Sequence, residues 1–385
     1  MLNREEVVSV YRQVLGRTPS EEEISQQLAG LDSLDQMLRV ALDSEEFEVR
    51  TRQRFSTPGP AAVNTYHPDL AEFAAQPGTR SDDGIAIVGH EGMLFLCGGT
   101  NANLGQYVGA VEMAPDWLAE WQKVIRHRAA KASELGARLA QLVVPDKLAV
   151  YEESYPEPLE RVGPRPIERL LGEPGSPLLY PLAELRAAAA EEEVYLHTDT
   201  HLTYRGNAVL ADAALAALGA HDPPDFGAVP LRSYPISGDL GAKFEPRIVG
   251  IIREAGSLGE AEIVEDNRKQ IEEVAGHIGT RRVFANDQAP DQRVAVVFGD
   301  SFGFGAGHYQ GVSWFLAQVF REVHFVWIPF GWDSEYVRRV GAEAVLVQGA
   351  ERFVARVPRL EVDTAELAEE TLARKAPVAV ERVFD

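Results

Sequence analysis

Residues 296–302 read Val296-Val297-Phe298-Gly299-Asp300-Ser301-Phe302, and this stretch decides the fold class. The apolar run Val294 to Phe298 has the length and composition of a buried strand. Glycines on both sides of Ser301 permit a tight turn toward a following helix. A side chain at the carboxyl end of a buried strand lies where open α/β sheets bind their ligands. The stretch therefore predicts a strand–turn–helix unit that presents Ser301 at a sheet edge.

Strand-length apolar runs alternate with helical stretches on both sides of this unit. The predicted elements are a hairpin of Ile85 to Val88 and Met93 to Leu96, helices at 114–136, 204–219 and 311–320, and strands at Leu142 to Val144, Val294 to Phe298, Val323 to Ile328 and Ala344 to Val347. Such alternation favours a mostly parallel sheet flanked by helices. We therefore predict an α/β domain over residues 84–385.

The chain before residue 84 has a different character. Apolar residues recur at helical spacing between Val7 and Leu15, and Ser20 followed by three glutamates is a helix-start signal. Residues 1–52 are therefore predicted to form a small helical module. Proline and glycine punctuate residues 53–83 without sustained periodicity, which is typical of a linker.

Charge and composition exclude some classes of partner. The chain of 385 residues carries a formal net charge of −22, which repels phosphate backbones and anionic lipid, so nucleic acid is not expected as a partner. The single cysteine, Cys97, excludes an internal disulfide and is expected to be a buried apolar residue. No apolar run approaches the roughly 18 residues of a membrane span. As written the chain predicts a cytoplasmic protein, or a periplasmic or extracellular one if a signal has been removed.

A serine hydroxyl is a weak nucleophile until a base takes its proton, so catalysis requires a histidine held by a carboxylate. Residues 195–203 read Tyr195-Leu196-His197-Thr198-Asp199-Thr200-His201-Leu202-Thr203 and supply both. In a turn, Asp199 can reach one imidazole nitrogen of His201 while the other nitrogen faces Ser301. The sequence predicts Ser301 as nucleophile, His201 as base and Asp199 as its orienter.

Other roles remain open for the same residues. His197, Asp199 and His201 alternate along an extended strand and could hold zinc or iron, although no further ligand cluster supports a metal. Asp199 or Thr203 could instead cap the next helix, with both histidines on the surface. Asp300-Ser301 could likewise be only a helix cap. His308, seven residues past the serine, is an alternative base without an adjacent carboxylate.

The motifs resemble the SGNH/GDSL hydrolase superfamily. Because Asp199-Thr200-His201 precedes Gly299-Asp300-Ser301-Phe302, the order is permuted as in the alginate O-acetyltransferase branch, the AlgX/AlgJ type. Weaker matches to that branch are Gly92 to Leu96, Asn103 to Gly109, Val143 to Lys147 with Tyr151, and Val345 to Gln348 with Glu351-Arg352. Leu202 departs from the family, which usually has tryptophan there. Separately, Tyr11 to Pro19 with Ser44 to Phe47 resembles DUF4214-type helical modules.

The resemblance implies further site residues. Asn101 corresponds to the superfamily's oxyanion asparagine, with a turn or capping role as its alternative. Oxyanion or substrate contacts are also expected from Gly303, Tyr204 and Arg352, the last of which could orient Asp199 or pair with an acid. Trp332, with Trp327 and Tyr336, is expected to form an aromatic platform for sugar unless these rings are core residues.

Three functions follow as hypotheses. The first is transfer of an acetyl group from a donor to a hydroxyl of a glycan or polysaccharide through an acyl-enzyme on Ser301, with no cofactor or metal. The second is an acetylesterase that uses the same residues and water. The third is a non-catalytic glycan-binding or scaffold protein. In each case the helical module could bind a protein partner.

Overall fold

The computed structural model describes residues 2–13, 18–42, 76–172, 177–255, 259–273, 277–305 and 310–373. Its strands are β1 (Ala86–Val88), β2 (Leu94–Leu96), β3 (Arg138–Val144), β4 (Leu178–Leu179), β5 (Leu231–Ile236), β6 (Gly250–Ala255), β7 (Glu262–Asp266), β8 (Arg281–Ala285), β9 (Asp291–Gly299), β10 (Phe320–Trp327) and β11 (Ala344–Ala350).

The helices are mostly short. They are α1 (Arg4–Gln13), α2 (Glu21–Gly30), α3 (Leu34–Leu42), α4 (Asn103–Tyr107), α5 (Trp117–Glu134), α6 (Lys147–Val150), α7 (Pro166–Leu171), α8 (Leu182–Ala189), α9 (Tyr204–Leu218), α10 (Gly238–Gly241), α11 (Arg268–Glu273), α12 (Ser301–Phe304), α13 (Val312–Ala317), α14 (Ser334–Val340) and α15 (Thr364–Ala373). None of the described helices is long and apolar enough to cross a membrane.

A seven-stranded sheet forms the centre of the α/β part, in the order β4-β3-β11-β9-β10-β8-β7. The first five strands in this order run parallel, whereas β8 is antiparallel to β10 and β7 is antiparallel to β8. The predicted α/β class with a mostly parallel sheet is confirmed. Parallel alignment brings the carboxyl ends of β9 and β3 to the same edge, and this edge carries the serine turn.

Both faces of the sheet are covered, as the continuous apolar runs predict. Along β9, Ala295 and Val297 pack into the cluster that also contains residues of α9 and α13. Val296 and Phe298 point to the other face and pack with residues of α5 and α14. Burial on both faces explains why β9 reads as an unbroken apolar run rather than as an alternating pattern.

Of the two antiparallel hairpins β1–β2 and β5–β6, the sequence predicts one. β1 and β2 pair antiparallel, as predicted. β5 and β6 form a second antiparallel hairpin, and the segment that joins them contains α10. This hairpin and strands β4, β7 and β8 were not predicted, because they are short, polar or interrupted. All five residues of β7 are exposed, and its two apolar residues, Ile263 and Val264, are adjacent rather than alternating, so no half-buried face reveals the strand.

The first helices form their own apolar cluster. It consists of the buried residues Leu2, Val7, Val10, Tyr11, Ile24, Met37 and Ala41. Ser20 begins α2 with a capping box in which Glu23 takes part, as its sequence signal suggests. The described part of the predicted helical module is thus helical, and its likeness to DUF4214 modules stays a prediction.

The predicted linker lies outside the described residues up to residue 75. Its last part, 76–83, packs on β1 through backbone hydrogen bonds in which Ser81 N–H donates to the Ala86 carbonyl and Val88 N–H to that of Thr79. These residues therefore belong to the structure of the α/β part, and Gly78 lies in a turn.

Candidate active site

The serine turn is fixed by a buried aspartate at the end of β9. Asp300 Oδ1 accepts hydrogen bonds from the Phe302 N–H at 3.0 Å and from Gln348 Nε2 at 2.7 Å. Its Oδ2 accepts from the Ala350 N–H at 2.8 Å, and Gln348 Oε1 accepts from the Asp300 N–H at 3.1 Å. The neighbouring strand β11 thereby determines where α12 begins and where Ser301 points.

The glycines of this turn are needed for close packing. A Cβ at Gly299 would lie 2.5 Å from Gln348 Oε1, and a Cβ at Gly303 would lie 2.8 Å from the same atom. The Gly303 N–H donates to the Asp300 carbonyl at 3.0 Å. Gly303 was expected to contact an oxyanion or substrate, but its N–H is already committed within the turn.

Three side chains predicted to act together form a continuous hydrogen-bonded chain. His201 Nε2 lies 2.7 Å from Ser301 Oγ, and His201 Nδ1 lies 2.5 Å from Asp199 Oδ1. A carboxylate can only accept, so Nδ1 carries the proton and Nε2 can accept from the serine hydroxyl. Asp199 and His201 are buried, whereas Ser301 is partly exposed. In such a chain a histidine can take the proton of a serine hydroxyl while a carboxylate orients the imidazole.

Electrostatics favour the ionised form of this pair. Burial opposes charge on Asp199, but the charge of His201 and hydrogen bonds from its side chain and backbone outweigh burial and hold the pKa of Asp199 well below its usual range. Burial likewise lowers the pKa of His201, but the charge and hydrogen bond of Asp199 outweigh it, so the pKa of His201 is raised above 6.5. His201 is therefore a stronger base than a free imidazole.

The turn that carries this pair is held from the hairpin β1–β2 and from α6. The His197 carbonyl accepts hydrogen bonds from the Leu94 N–H at 2.8 Å and from Lys147 Nζ at 3.2 Å. Burial lowers the pKa of Lys147 to about 7, although nearby acids, Asp199 among them, oppose the shift. Thr203 caps α9 by accepting from the Gly206 N–H. One predicted alternative, a cap at Thr203, is thus compatible with the Asp199–His201 pair.

The predicted metal-site alternative combines His197 with Asp199 and His201, but the His197 side chain contacts a different carboxylate. His197 Nε2 lies 2.7 Å from a carboxylate oxygen of Glu193, four residues earlier. Within the described ranges, the potential ligand atoms of Asp199, His201 and Asp239 lie within 4.8 Å of one another. The carboxylates of Asp199 and Asp239 accept hydrogen bonds from backbone N–H groups. This group of three residues shares Asp199 and His201 with the predicted one and has Asp239 in place of His197.

Arg352 lies beside the serine turn but does not hydrogen-bond to Asp199. Its Nη1 donates to Asp146 Oδ1 at 3.2 Å, and its guanidinium lies 5.3 Å from the centre of the Phe302 ring. Burial and the neighbouring Glu351 raise the pKa of Asp146 to about 7 although Arg352 opposes the shift. Arg352 therefore pairs with an acid, Asp146, which is one of the two roles expected for it.

Asn101 lies on the loop before α4. Its carbonyl accepts from Gln106 Nε2 at 2.6 Å, and the same amide donates to the Arg352 carbonyl at 2.8 Å. Across the described part of the chain, the Asn101 side chain makes no hydrogen bond. The loop is thus tied to the segment that carries Arg352.

Two expected substrate contacts are core residues instead. Trp332 is fully buried in the cluster that contains α5 and α14, and its Nε1 donates to Ser334 Oγ at 2.8 Å. Tyr204 donates to the Phe226 carbonyl at 3.2 Å and its ring packs against Phe315. Both side chains are satisfied within the core, so neither is placed to bind a substrate.

The other two aromatic candidates, Tyr336 and Trp327, also contact other side chains of the protein. Tyr336 is buried and hydrogen-bonds to His324 at 3.0 Å. Trp327, at the carboxyl end of β10, is stacked on His277 with ring centres 4.8 Å apart. Trp332 and Tyr336 are therefore core residues, whereas Trp327 is partly buried and its part in a platform for sugar stays a prediction. His308 lies outside the described residues.

Sequence reasoning missed residues that hold the site together. Gln348 could have been predicted from the sequence, because it is the one polar side chain in the otherwise apolar strand β11 (Ala344–Ala350). Asp239, which lies on α10 beside Thr200, had no such signal. Its role becomes visible only when the hairpin β5–β6 is placed.

Comparisons with known proteins were made for the whole chain. No protein-family model and no curated protein matches it. Among solved structures it is similar to the O-acetyltransferase domain of AlgJ from Pseudomonas putida, at 17% identity and a TM-score of 0.43, covering 75% of this chain and 99% of that one. It is also similar to Bacillus cereus PatB1 with a sulfonyl adduct (13% identity, TM-score 0.47, 66% and 93% covered) and to a DHHW family protein from Eubacterium siraeum (13%, 0.45, 68% and 90%). The chemistry of the site must therefore be inferred from its own residues.

Proposed function

We propose that this protein is a serine-dependent O-acetyltransferase that moves an acetyl group from a donor to a carbohydrate hydroxyl. The proposal depends on one observation, the hydrogen-bonded chain from Ser301 Oγ through His201 to Asp199. The acceptor class is inferred from the resemblance of the Asp199-Thr200-His201 and Gly299-Asp300-Ser301-Phe302 motifs to the alginate O-acetyltransferase branch.

In the first half of the reaction, Ser301 becomes acetylated. His201 Nε2 takes the hydroxyl proton while Ser301 Oγ attacks the carbonyl carbon of the acetyl donor. The tetrahedral intermediate collapses, the bond to the leaving group breaks, and the imidazolium returns its proton to that group. Asp199 stays ionised throughout and stabilises the imidazolium through Nδ1.

The second half reverses these roles for the acceptor. A sugar hydroxyl gives its proton to His201 Nε2 and its oxygen attacks the acetyl carbon of the acyl-enzyme. Collapse releases the acetylated sugar, and the imidazolium returns the proton to Ser301 Oγ. The same base therefore serves both steps, and no cofactor or metal ion is needed in this scheme.

The oxyanion requires hydrogen-bond donors near Ser301 Oγ. Ser301 is the first residue of α12, where a backbone N–H has no acceptor inside the helix. This N–H is our first candidate. The Asn101 side chain, on the loop tied to Arg352, is the second. Replacement of Asn101 by alanine tests the second candidate by the loss in kcat.

A donor assay with and without acceptor separates transfer from hydrolysis. The protein is incubated with p-nitrophenyl acetate, alone and with neutral or acidic oligosaccharides, and nitrophenol and acetylated sugar are both measured. Transfer predicts that one acceptor class becomes acetylated and accelerates nitrophenol release. Nitrophenol release at an unchanged rate, with no acetylated sugar, would identify an esterase instead.

Replacement of Ser301 by alanine separates catalysis from a scaffold role. Removing the nucleophile of a catalytic triad typically costs about 10⁶ in kcat. Turnover should therefore vanish while the melting temperature stays near that of the unmodified protein. A Ser301→Ala protein that retains its full glycan-dependent activity would favour the scaffold role.

A further inference from the structure

The hairpin β5–β6 supplies a segment that docks on the turn carrying the Asp199–His201 pair. Thr198 Oγ1 donates to the Ile236 carbonyl at 3.2 Å. The Thr198 carbonyl in turn accepts from the N–H groups of Leu240 at 3.2 Å and Gly241 at 2.9 Å. Both ends of the docking segment, 236–241, are thus hydrogen-bonded to the residue before Asp199.

Asp239, inside this segment, is bonded reciprocally to the catalytic turn. Its backbone N–H donates to Asp199 Oδ2 at 3.0 Å. Its own carboxylate accepts from the Thr200 N–H at 2.7 Å and from Thr200 Oγ1 at 2.5 Å. Asp239 as a whole is exposed, but both of its carboxylate oxygens are directed at Thr200. Asp239 therefore binds Asp199 through its backbone N–H and Thr200 through its carboxylate.

The close approach of the two segments requires glycine. A Cβ at Gly238 would lie 2.2 Å from the Thr198 carbonyl oxygen and 2.8 Å from Asp199 Cβ. Gly238 also has a φ of 61°, in the left-handed region that favours glycine. A Cβ at Gly250, on β6, would lie 3.0 Å from Thr198 Oγ1. The hairpin is shaped to seat Asp239 at this place.

We propose that Asp239 is a fourth functional member of the site, a positioning residue that fixes the Asp199–His201 turn and supports the imidazolium electrostatically. This inference rests on the proposed function, because it assigns a role in the same acyl transfer. Asp239 is distinct from the orienting Asp199, since it does not hydrogen-bond to the imidazole. It acts through Thr200, through the second oxygen of Asp199, and through its charge.

Three elements of the described part of the chain bring charges toward His201. Asp199 lies on the same turn and Asp239 lies on α10, and both raise the pKa of His201, whereas Arg352 beside the serine turn lowers it. Ser301 Oγ and the Phe302 ring, which also contact the imidazole, carry no charge. Removing the charge of Asp239 should therefore weaken His201 as a base.

The test replaces Asp239 by asparagine, which keeps the size and removes the charge. The pKa of His201, followed by NMR of isotope-labelled histidine and assigned with a His201→Gln variant, should fall by about half a pH unit. The acid limb of kcat/KM should move to lower pH by the same amount. We also expect kcat to fall about 3- to 30-fold with KM nearly unchanged, because a carboxylate acceptor for Thr200 is lost.

Two matched variants separate positioning from charge. Thr200→Val removes the hydroxyl donor but keeps the Asp239 carboxylate, so kcat should fall while the pKa of His201 stays in place. Glu343→Gln removes an exposed negative charge just before β11, at the sheet edge opposite the serine turn, and should change neither. If Glu343→Gln shifts the pKa as much as Asp239→Asn does, the effect is one of net charge and the inference fails.

The histidine titration also keeps this inference separable from the proposed function. An unchanged pKa of His201 in folded Asp239→Asn would overturn the role of Asp239, whatever the protein catalyses. A shifted pKa in a protein that never acetylates Ser301 would instead leave the electrostatic coupling intact and refute acyl transfer. Circular dichroism of each variant confirms that the fold is retained.

Discussion

At the scale of single residues, the site is defined by the buried pair Asp199 and His201, which faces a partly exposed hydroxyl. Asp199 is held ionised, and the pKa of His201 is raised. A base with a raised pKa binds the serine proton more tightly in the transition state, but it must be neutral in the resting enzyme. In the proposed mechanism, the pair would increase the driving force for proton transfer and move the working range toward higher pH.

The pH dependence of acyl transfer should reflect this shift. We expect kcat/KM to rise with pH as His201 loses its proton, with a midpoint above 6.5, the usual pKa of histidine. Initial rates with p-nitrophenyl acetate between pH 5 and 9 measure it. A midpoint below 6.5 would mean that burial outweighs Asp199 in this site.

The same shift affects folding stability with a definite sign. The raised pKa of His201 stabilises the fold below the unfolded-state value of 6.5, and this contribution is lost as pH rises through the folded-state pKa. The lowered pKa of Asp199 stabilises the fold above 3.8, and this contribution is lost as pH falls. The two contributions overlap in mildly acidic solution.

Replacing Asp199 by asparagine should therefore have a double effect. By analogy with other triads, kcat falls about 10³- to 10⁴-fold, because the imidazole loses its tautomer and its counter-charge. The stability difference from the unmodified protein, measured by urea unfolding, should be larger at pH 6 than at pH 9. Equal differences at both pH values would show that the His201–Asp199 pair does not couple folding to protonation.

At the scale of elements, the serine turn depends on β11 as much as on β9. Asp300 accepts hydrogen bonds from Phe302, Gln348 and Ala350, and these donors have no other described acceptor in the turn. Without that carboxylate, buried donors would be left unsatisfied and the start of α12 would shift. The turn is positioned by a neighbouring strand that lies about fifty residues later in the chain.

A matched pair of aspartates tests this dependence. Asp300→Ala should cost about 2–4 kcal/mol of unfolding free energy and about 100-fold in kcat/KM, because Ser301 is displaced. Asp333 is also buried and caps α14, where it accepts from Tyr336 and Thr364. Asp333→Ala should destabilise to a similar extent but leave kcat/KM of the folded protein unchanged. Equal losses of activity in the two variants would refute a specific role for Asp300.

At the scale of the whole molecule, the described N-terminal helices and the α/β part have separate apolar clusters. The cluster that includes Val7 and Ile24 shares no buried residue with those that cover the sheet. The proposed chemistry uses only residues beyond 76. The N-terminal module is therefore expected to serve another purpose, such as partner binding.

Removal of the N-terminal module tests that separation. We expect a chain that begins at Gln76 to keep the kcat of the full protein within about twofold, because the two sets of buried residues do not overlap among the described residues. Turnover and the melting temperature measure the result. A loss of folding or of activity would show that the two parts depend on each other.

The sequence predicts the sheet and the pair of motifs because both are local signals. The unbroken apolar run of β9 and the two-residue spacing of Asp199 and His201 can be read directly from neighbouring residues. Asp239 could not be predicted, because its contacts with Thr200 depend on how the β5–β6 hairpin folds back. Trp332 was expected to contact substrate, but it is a core residue. Its position after a strand does not tell which face of the sheet its side chain packs against.

The central claim is that Ser301 is a nucleophile activated by His201. A fluorophosphonate that modifies activated serines, followed by peptide mapping, tests it most directly. We expect one label, on Ser301, that forms faster as pH rises through the pKa of His201 and is absent from His201→Gln and Ser301→Ala. A label on any other residue, or none on the folded protein, would contradict it.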